Sequence, residues 1–296
     1  MPIFFIISGA FQRVRLSSQT FDSKIYLAKI TKSILLPFYS LSLVFMLINI
    51  ALGSIISAPS AKDMFYGLAF QQSNGDLLPS GVLWFLFTLY AFHIITYFHV
   101  KVLNSKILYL IIIAIILRTQ VNIFNQSYYL AFDKISQFFI YYLFGYCFYQ
   151  KIIKSPMHNP MVLITLAASY MFLFLINYYN NNELINTFQM VIDPFGLSGI
   201  MLSLLTIGIS YNLSSKYNES TIVKILIYYG VFSILVYVFH IPTFTIFKKI
   251  SSIIDLPPNY YRQLILFVPG ILLPILLGKI LSYNKLIYKT LLGRNP

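Results

Sequence analysis

From Ile34 to Gly53 the chain carries no charged side chain, and comparable apolar stretches recur along it, separated by short segments bearing Lys, Arg, Asn and Pro. A bilayer core is crossed by about 20 mainly apolar residues in helix, and hydrocarbon leaves the backbone little alternative to helices or a closed barrel. No barrel-like alternation is visible, so the pattern predicts an all-α fold, a polytopic transmembrane helix bundle of about nine helices in one membrane-embedded domain, residues 1–296. The predicted spans are Met1–Phe11, Ile30–Ile56, Gly81–His99, Lys106–Arg118, Lys134–Gln150, Pro160–Tyr179, Pro194–Tyr211, Val223–Phe247 and Gln263–Leu281. With 58% hydrophobic and 10% charged residues, a water-soluble domain would lack the polar surface to cover itself.

The net charge of +13 does not point to nucleic acid, because the basic residues are dispersed among loops and form no single stripe. Alternating the spans across the membrane assigns most of the 21 Lys and Arg residues to one side, which the positive-inside rule makes cytoplasmic. That side holds the basic N-terminal turn and the C-terminus, and Met1 is then expected outside. Ser57–Pro79 reads as the longest exterior loop, and Asn177–Asn186 as another. Cys147 is the sole cysteine, so neither an intramolecular disulfide nor a cysteine metal cluster can form, and no metal site is expected. Charges follow the first apolar run and do not precede it, so Met1–Phe11 reads as a retained helix and not a signal peptide.

An ionisable group inside a membrane span is a functional candidate by default. In Gly230–Pro242, GVFSILVYVFHIP, a step of about 100° per residue puts Gly230, Ser233, Tyr237 and His240 in one narrow sector, with His240 towards the exterior end. An imidazole there suits a general base beside an extracytoplasmic hydroxyl; a Gly/Ser helix contact with a hydrogen-bonded histidine accounts for the same stripe. His93 shares a face with Tyr90 and Tyr97 and is expected to be a satisfied interhelical histidine. Trp84 opens its helix at the exterior interface, where it either anchors in the headgroup region or meets substrate. In the basic turn, Arg13, Arg15, Lys29 and Lys32 suit the phosphates of a donor such as acyl coenzyme A. Topology alone would supply the same charges.

Several strings resemble one family, the integral-membrane acyltransferase-3 family, which includes O-acetyltransferases of bacterial surface polysaccharides. IFFIISGAF (3–11) is similar to its Phe-rich Ser-Gly signature, and YLAKITKSILLPF (26–38) to a basic pair three apart before a Leu-Pro step. LWFLFTL (83–89) resembles its Trp-Phe-Leu helix, FFIYYLFGY (138–146) its aromatic Phe-Gly-Tyr segment, and Gly230–Pro242 its late Gly-Ser-Tyr-His-Pro stripe; the terminal LLGRN fits as well. Family members typically have ten membrane helices, with an arginine and an essential histidine on the first. This chain resembles them from the second helix onward, which gives the expectation of an N-terminally truncated member. Lysines replace the usual arginine pair, and Leu89 stands where one branch carries glutamate, favouring the branch of sugar O-acetylases.

The resemblance implies a multi-pass protein of the bacterial inner membrane with a cytoplasmic C-terminus. It would transfer an acyl group, acetyl above all, from cytoplasmic acyl-CoA to a hydroxyl of a surface glycan or lipid-linked sugar. Acyl-CoA would be a co-substrate, with no bound cofactor and no nucleic-acid partner. Arg13, Arg15, Lys29 and Lys32 would hold the donor, Trp84, Ser233 and Tyr237 would line the acceptor path, and His240 would support the chemistry. A polysaccharide exporter or other transport component, and a catalytically inactive truncated acyltransferase, are the alternative readings.

Overall fold

A computed structural model describes residues 2–18, 22–56, 60–69, 83–103, 106–119, 129–150, 160–179, 197–217, 220, 221, 223, 224, 236–239, 243, 247 and 260–293. Among them every regular element is helical. The helices are α1 (Pro2–Leu16), α2 (Ser23–Ile30), α3 (Leu36–Ile56), α4 (Ala61–Ala69), α5 (Trp84–Tyr97), α6 (Ile107–Thr119), α7 (Phe132–Cys147), α8 (Pro160–Tyr179), α9 (Leu197–Lys216), α10 (Tyr260–Ser282) and α11 (Lys285–Leu292). Two continuous helical runs, Ser23–Ile50 and Trp84–Val102, are long and apolar enough to cross a bilayer, and Ile107–Arg118, Met161–Met171 and Val268–Ser282 are shorter apolar helices. Most of the span expected at Val223–Phe247 lies outside the described residues, as does Asn180–Asn182.

Several boundaries differ from the expected ones for identifiable reasons. The first helix continues past Phe11 to Leu16 and carries Arg13 and Arg15 in its last turn, where cations favour the negative end of the helix dipole. Asp22 Oδ1 accepts from the backbone N–H groups of Lys24 and Ile25, which caps α2. α2 runs through a wide π turn, Thr31–Leu35, into α3. Pro37, just beyond it, cannot donate a backbone bond and its ring would crowd the carbonyl four residues back, which a widened turn relieves. The segment read as an exterior loop contains α4, closed at its start by Ser60 and Asp63: the Ser60 hydroxyl donates to Asp63 Oδ2 at 2.6 Å and Asp63 N–H donates to Ser60 Oγ at 3.2 Å.

The chain forms two compact units. The first comprises Met1–Tyr26, Thr88–Tyr128 and Phe132–Glu219. Its centre is the crossing of α1 and α7, which small residues allow to be close. A Cβ on Gly9 would collide with the main-chain carbonyl of Tyr142, and one on Gly145 with the main chain of Ile6. Close backbone approach of this kind substitutes for the hydrophobic drive that lipid removes. Phe5 packs edge-on to Phe92 at 5.2 Å and against Phe138 at 5.3 Å, while Phe92 meets Phe139 at 5.0 Å.

The second unit comprises Leu27–Phe87, Tyr129–Ala131 and Ser220–Pro296. Phe38 packs against Phe87, and Phe45 against Phe239 at 5.1 Å. The short C-terminal helix α11 is capped by Asn284, whose Oδ1 accepts from the N–H groups of Leu286 and Ile287. It ends at Gly293 in the left-handed region, φ 66°. A side chain at Gly293 would strike the carbonyl of Lys32 and the Cα of Ser33, so Gly293 is seated against the π turn that carries Lys32.

Candidate active site

The first unit buries a chain of polar side chains where α1, α2 and α5 meet. Ser8, Gln12 and Arg15 fall on one face of α1, at helical steps of four and three residues. Ser8 Oγ lies 3.0 Å from His93 Nε2, and the other ring nitrogen, Nδ1, lies 3.1 Å from the Tyr26 hydroxyl oxygen. Gln12 Nε2 donates at 2.8 Å to the Tyr26 hydroxyl and at 2.9 Å to the main-chain carbonyl of His93. One amide therefore fixes both the phenol and the backbone of the histidine it addresses. Both hydroxyls can donate or accept, so the ring has two arrangements: with its proton on Nδ1 it donates to Tyr26 and accepts from Ser8 at Nε2, and with its proton on Nε2 the two roles exchange.

The surroundings restrain the ring further. Tyr142 stands edge-on to His93 with ring centroids 5.5 Å apart, and Tyr26 packs on Tyr97 at 5.5 Å. His93 and Gln12 are buried, whereas Ser8 is only partly so. Two buried polar atoms here, Gln12 Oε1 and the Tyr142 hydroxyl, have no hydrogen-bond partner among the described residues. A hydroxyl, an imidazole and a group orienting the imidazole, in that order, form the geometry of an activated nucleophile or a general base. Among the described residues no group of three or more His, Cys, Asp or Glu side chains could hold a metal ion.

The expected site residues fall in both units. In the first, Arg13 is half-buried: its Nη1 donates to the Tyr146 hydroxyl at 3.1 Å, and its guanidinium lies over the Tyr146 and Tyr149 rings, 5.2 and 6.0 Å from their centroids. Arg15 is exposed one half-turn on. In the second, Lys29 lies in the last turn of α2 and Lys32 in the π turn, both exposed. Tyr237 packs edge-on to Phe85 at 5.2 Å, next to Trp84, so these two acceptor-path candidates border the same ring. Ser233 and His240 lie outside the described residues.

His93 is the hydrogen-bonded interhelical histidine expected of it. Its partners Ser8, Gln12 and Tyr26 come from elements distant in sequence. The signal for two of them was present: Ser8 and Gln12, one turn apart, are polar interruptions on a single face of the apolar stretch that precedes Arg13 in α1. Tyr26 carried no such signal among many tyrosines.

A family profile described as an acyltransferase domain matches residues 1–283. No curated protein and no solved structure matches the chain.

Proposed function

Since the chain belongs to the acyltransferase-3 family, we propose that it is a membrane O-acyltransferase that moves an acyl group, acetyl in the first instance, from acyl-CoA to a hydroxyl of a surface glycan or lipid-linked sugar. The observation that carries the reading is the Ser8–His93 contact at 3.0 Å with Tyr26 on the far ring nitrogen. Transfer to oxygen uses a base at a hydroxyl, and His93 Nε2 lies within hydrogen-bond reach of the Ser8 hydroxyl. Such a base contributes about 10²- to 10⁴-fold in rate. Arg15, Lys29 and Lys32, exposed, and Arg13, half-buried, supply cationic donors for the phosphates of coenzyme A. Trp84, Ser233, Tyr237 and His240 belong to the acceptor side of the reaction in this proposal, and the apolar helices hold the protein in the bacterial inner membrane with its C-terminus cytoplasmic.

Labelled-acetyl transfer to surface glycan, compared between cells carrying the gene and a deletion strain, tests the reading. The deletion strain is expected to lose the label, with restoration by the wild-type gene. Equal labelling in both strains removes the acetylase reading.

A further inference from the structure

We infer that Ser8 carries the acyl group during transfer, as a seryl ester formed with His93 as its base; the inference rests on the acyltransferase reading above. Three independent features of the first unit converge on it. The first is the direct contact between Ser8 Oγ and His93 Nε2, with Tyr26 on Nδ1 and Gln12 holding Tyr26. This is the order nucleophile, base, orienting group. The second is the difference in burial: Ser8 is only partly buried while its base is buried. The third is that the network is not closed. A purely structural cluster would satisfy its own polar atoms, yet Gln12 Oε1 and the Tyr142 hydroxyl, on residues that contact the Tyr26–His93 pair, are buried without a partner among the described residues.

Arg15 lies on the same face of α1 as Ser8, seven residues and about 10 Å further along the axis. Coenzyme A separates its phosphates from its thioester by the pantetheine arm. A donor whose phosphates engage the end of α1 therefore presents its thioester further along the same face, towards Ser8.

The chemistry closes without an added oxidant or reductant. In the tautomer with its proton on Nδ1, Ser8 Oγ attacks the thioester carbonyl carbon as His93 Nε2 takes the hydroxyl proton, and the Tyr26 oxygen faces the Nδ1–H of the imidazolium that forms. The new C–O bond replaces the C–S bond, and the coenzyme leaves as its thiol with the proton from His93. An acceptor hydroxyl then attacks the seryl ester; its proton passes through His93 Nε2 to Ser8 Oγ, which releases the glycan ester and restores the serine.

Acid-quenched mass spectrometry of the purified full chain, mixed with labelled acetyl-CoA in the absence of acceptor, reads this step without knowledge of the sugar. The expected result is one acetyl group per chain on the peptide containing Ser8. Ser8→Ala abolishes it, Ser8→Cys moves it to a thioester released by neutral hydroxylamine, and His93→Gln slows its appearance about 10²- to 10⁴-fold. The cysteine variant guards against mere misfolding, because it reports only if the site is intact. Transfer to glycan by wild-type protein that shows no acetyl on Ser8, or by Ser8→Ala at the wild-type rate, overturns the seryl ester and leaves the acyltransferase reading standing. Neither transfer nor acetylation by wild-type protein overturns both.

Discussion

Replacement of Gly9 by alanine tests the α1–α7 crossing on which the candidate site is built. The added methyl would collide with the Tyr142 carbonyl oxygen and lie 3.0 Å from the Tyr142 carbonyl carbon and the Tyr146 nitrogen. All three are main-chain atoms, so no rotamer change relieves the contact and the helices must separate. Overpacking costs about 1–3 kcal/mol, and a contact with backbone belongs at the upper end, about 3 kcal/mol, or roughly 100-fold in the unfolding equilibrium. Gly145→Ala acts on the same interface through the main chain of Ile6 and should cost a similar amount. The two are not independent: once one methyl has parted the helices, the second finds part of the room it needs. The double variant is therefore expected to lose less than the sum of the singles, by about 1 kcal/mol or more. Equilibrium unfolding of purified protein in mixed micelles measures all three. A Gly9→Ala protein within about 0.5 kcal/mol of wild type, or strictly additive costs in the double, would refute the close crossing.

Other substitutions have expected outcomes of different kinds. Tyr26→Phe removes the oxygen that accepts from Gln12 and faces His93 Nδ1; interhelical hydrogen bonds in membranes average about 0.6 kcal/mol, so stability should fall by about 1 kcal/mol while the acyl-transfer rate falls more steeply. Arg13→Lys keeps the charge but loses the planar guanidinium over Tyr146, and unfolding assays should register about 1 kcal/mol, with Tyr146→Phe giving a smaller loss. Gly293→Ala imposes a side chain at φ 66° against the Lys32 carbonyl, and protease digestion should release the C-terminal segment sooner than in wild type. Asn284→Ala, which deletes the cap of α11, should weaken the same segment by about 1 kcal/mol without touching the π turn.

The helical architecture was legible because hydrocarbon admits so few backbone solutions, and apolar stretches free of charge are hard to read otherwise. Element ends were less legible. Arg13 and Arg15 read as loop residues, yet they complete α1, since charge does not oppose helix where the dipole favours it. α4 was hidden in a Pro- and Gly-bearing stretch, although the spacing of Ser60 and Asp63 is a helix-start signature that would have exposed it. Within the site, burial of His93 followed from its place among apolar neighbours. The pairing with Ser8 did not: the shared face of Ser8 and Gln12 marks them as polar residues of α1, but a contact between positions 85 residues apart leaves no local periodicity that names the partner. The glycines themselves stood in two of the strings that carried the family resemblance, SGAF and LFGY, and the fold gives the reason: each passes the other helix's backbone.

If this protein transfers acyl groups with His93 as base, loss of that imidazole lowers donor consumption and glycan acetylation together. The most direct measurement reconstitutes the full chain in lipid vesicles with labelled acetyl-CoA and a glycan extract from the deletion strain, and follows coenzyme A thiol release together with alkali-labile acetyl on the glycan. The two are expected to rise together for wild-type protein, and His93→Ala to lower both by about 10²-fold or more while the protein remains folded. Equal rates for wild type and His93→Ala, or a wild-type protein that neither consumes the thioester nor acetylates the glycan, would contradict acyl transfer with His93 as base.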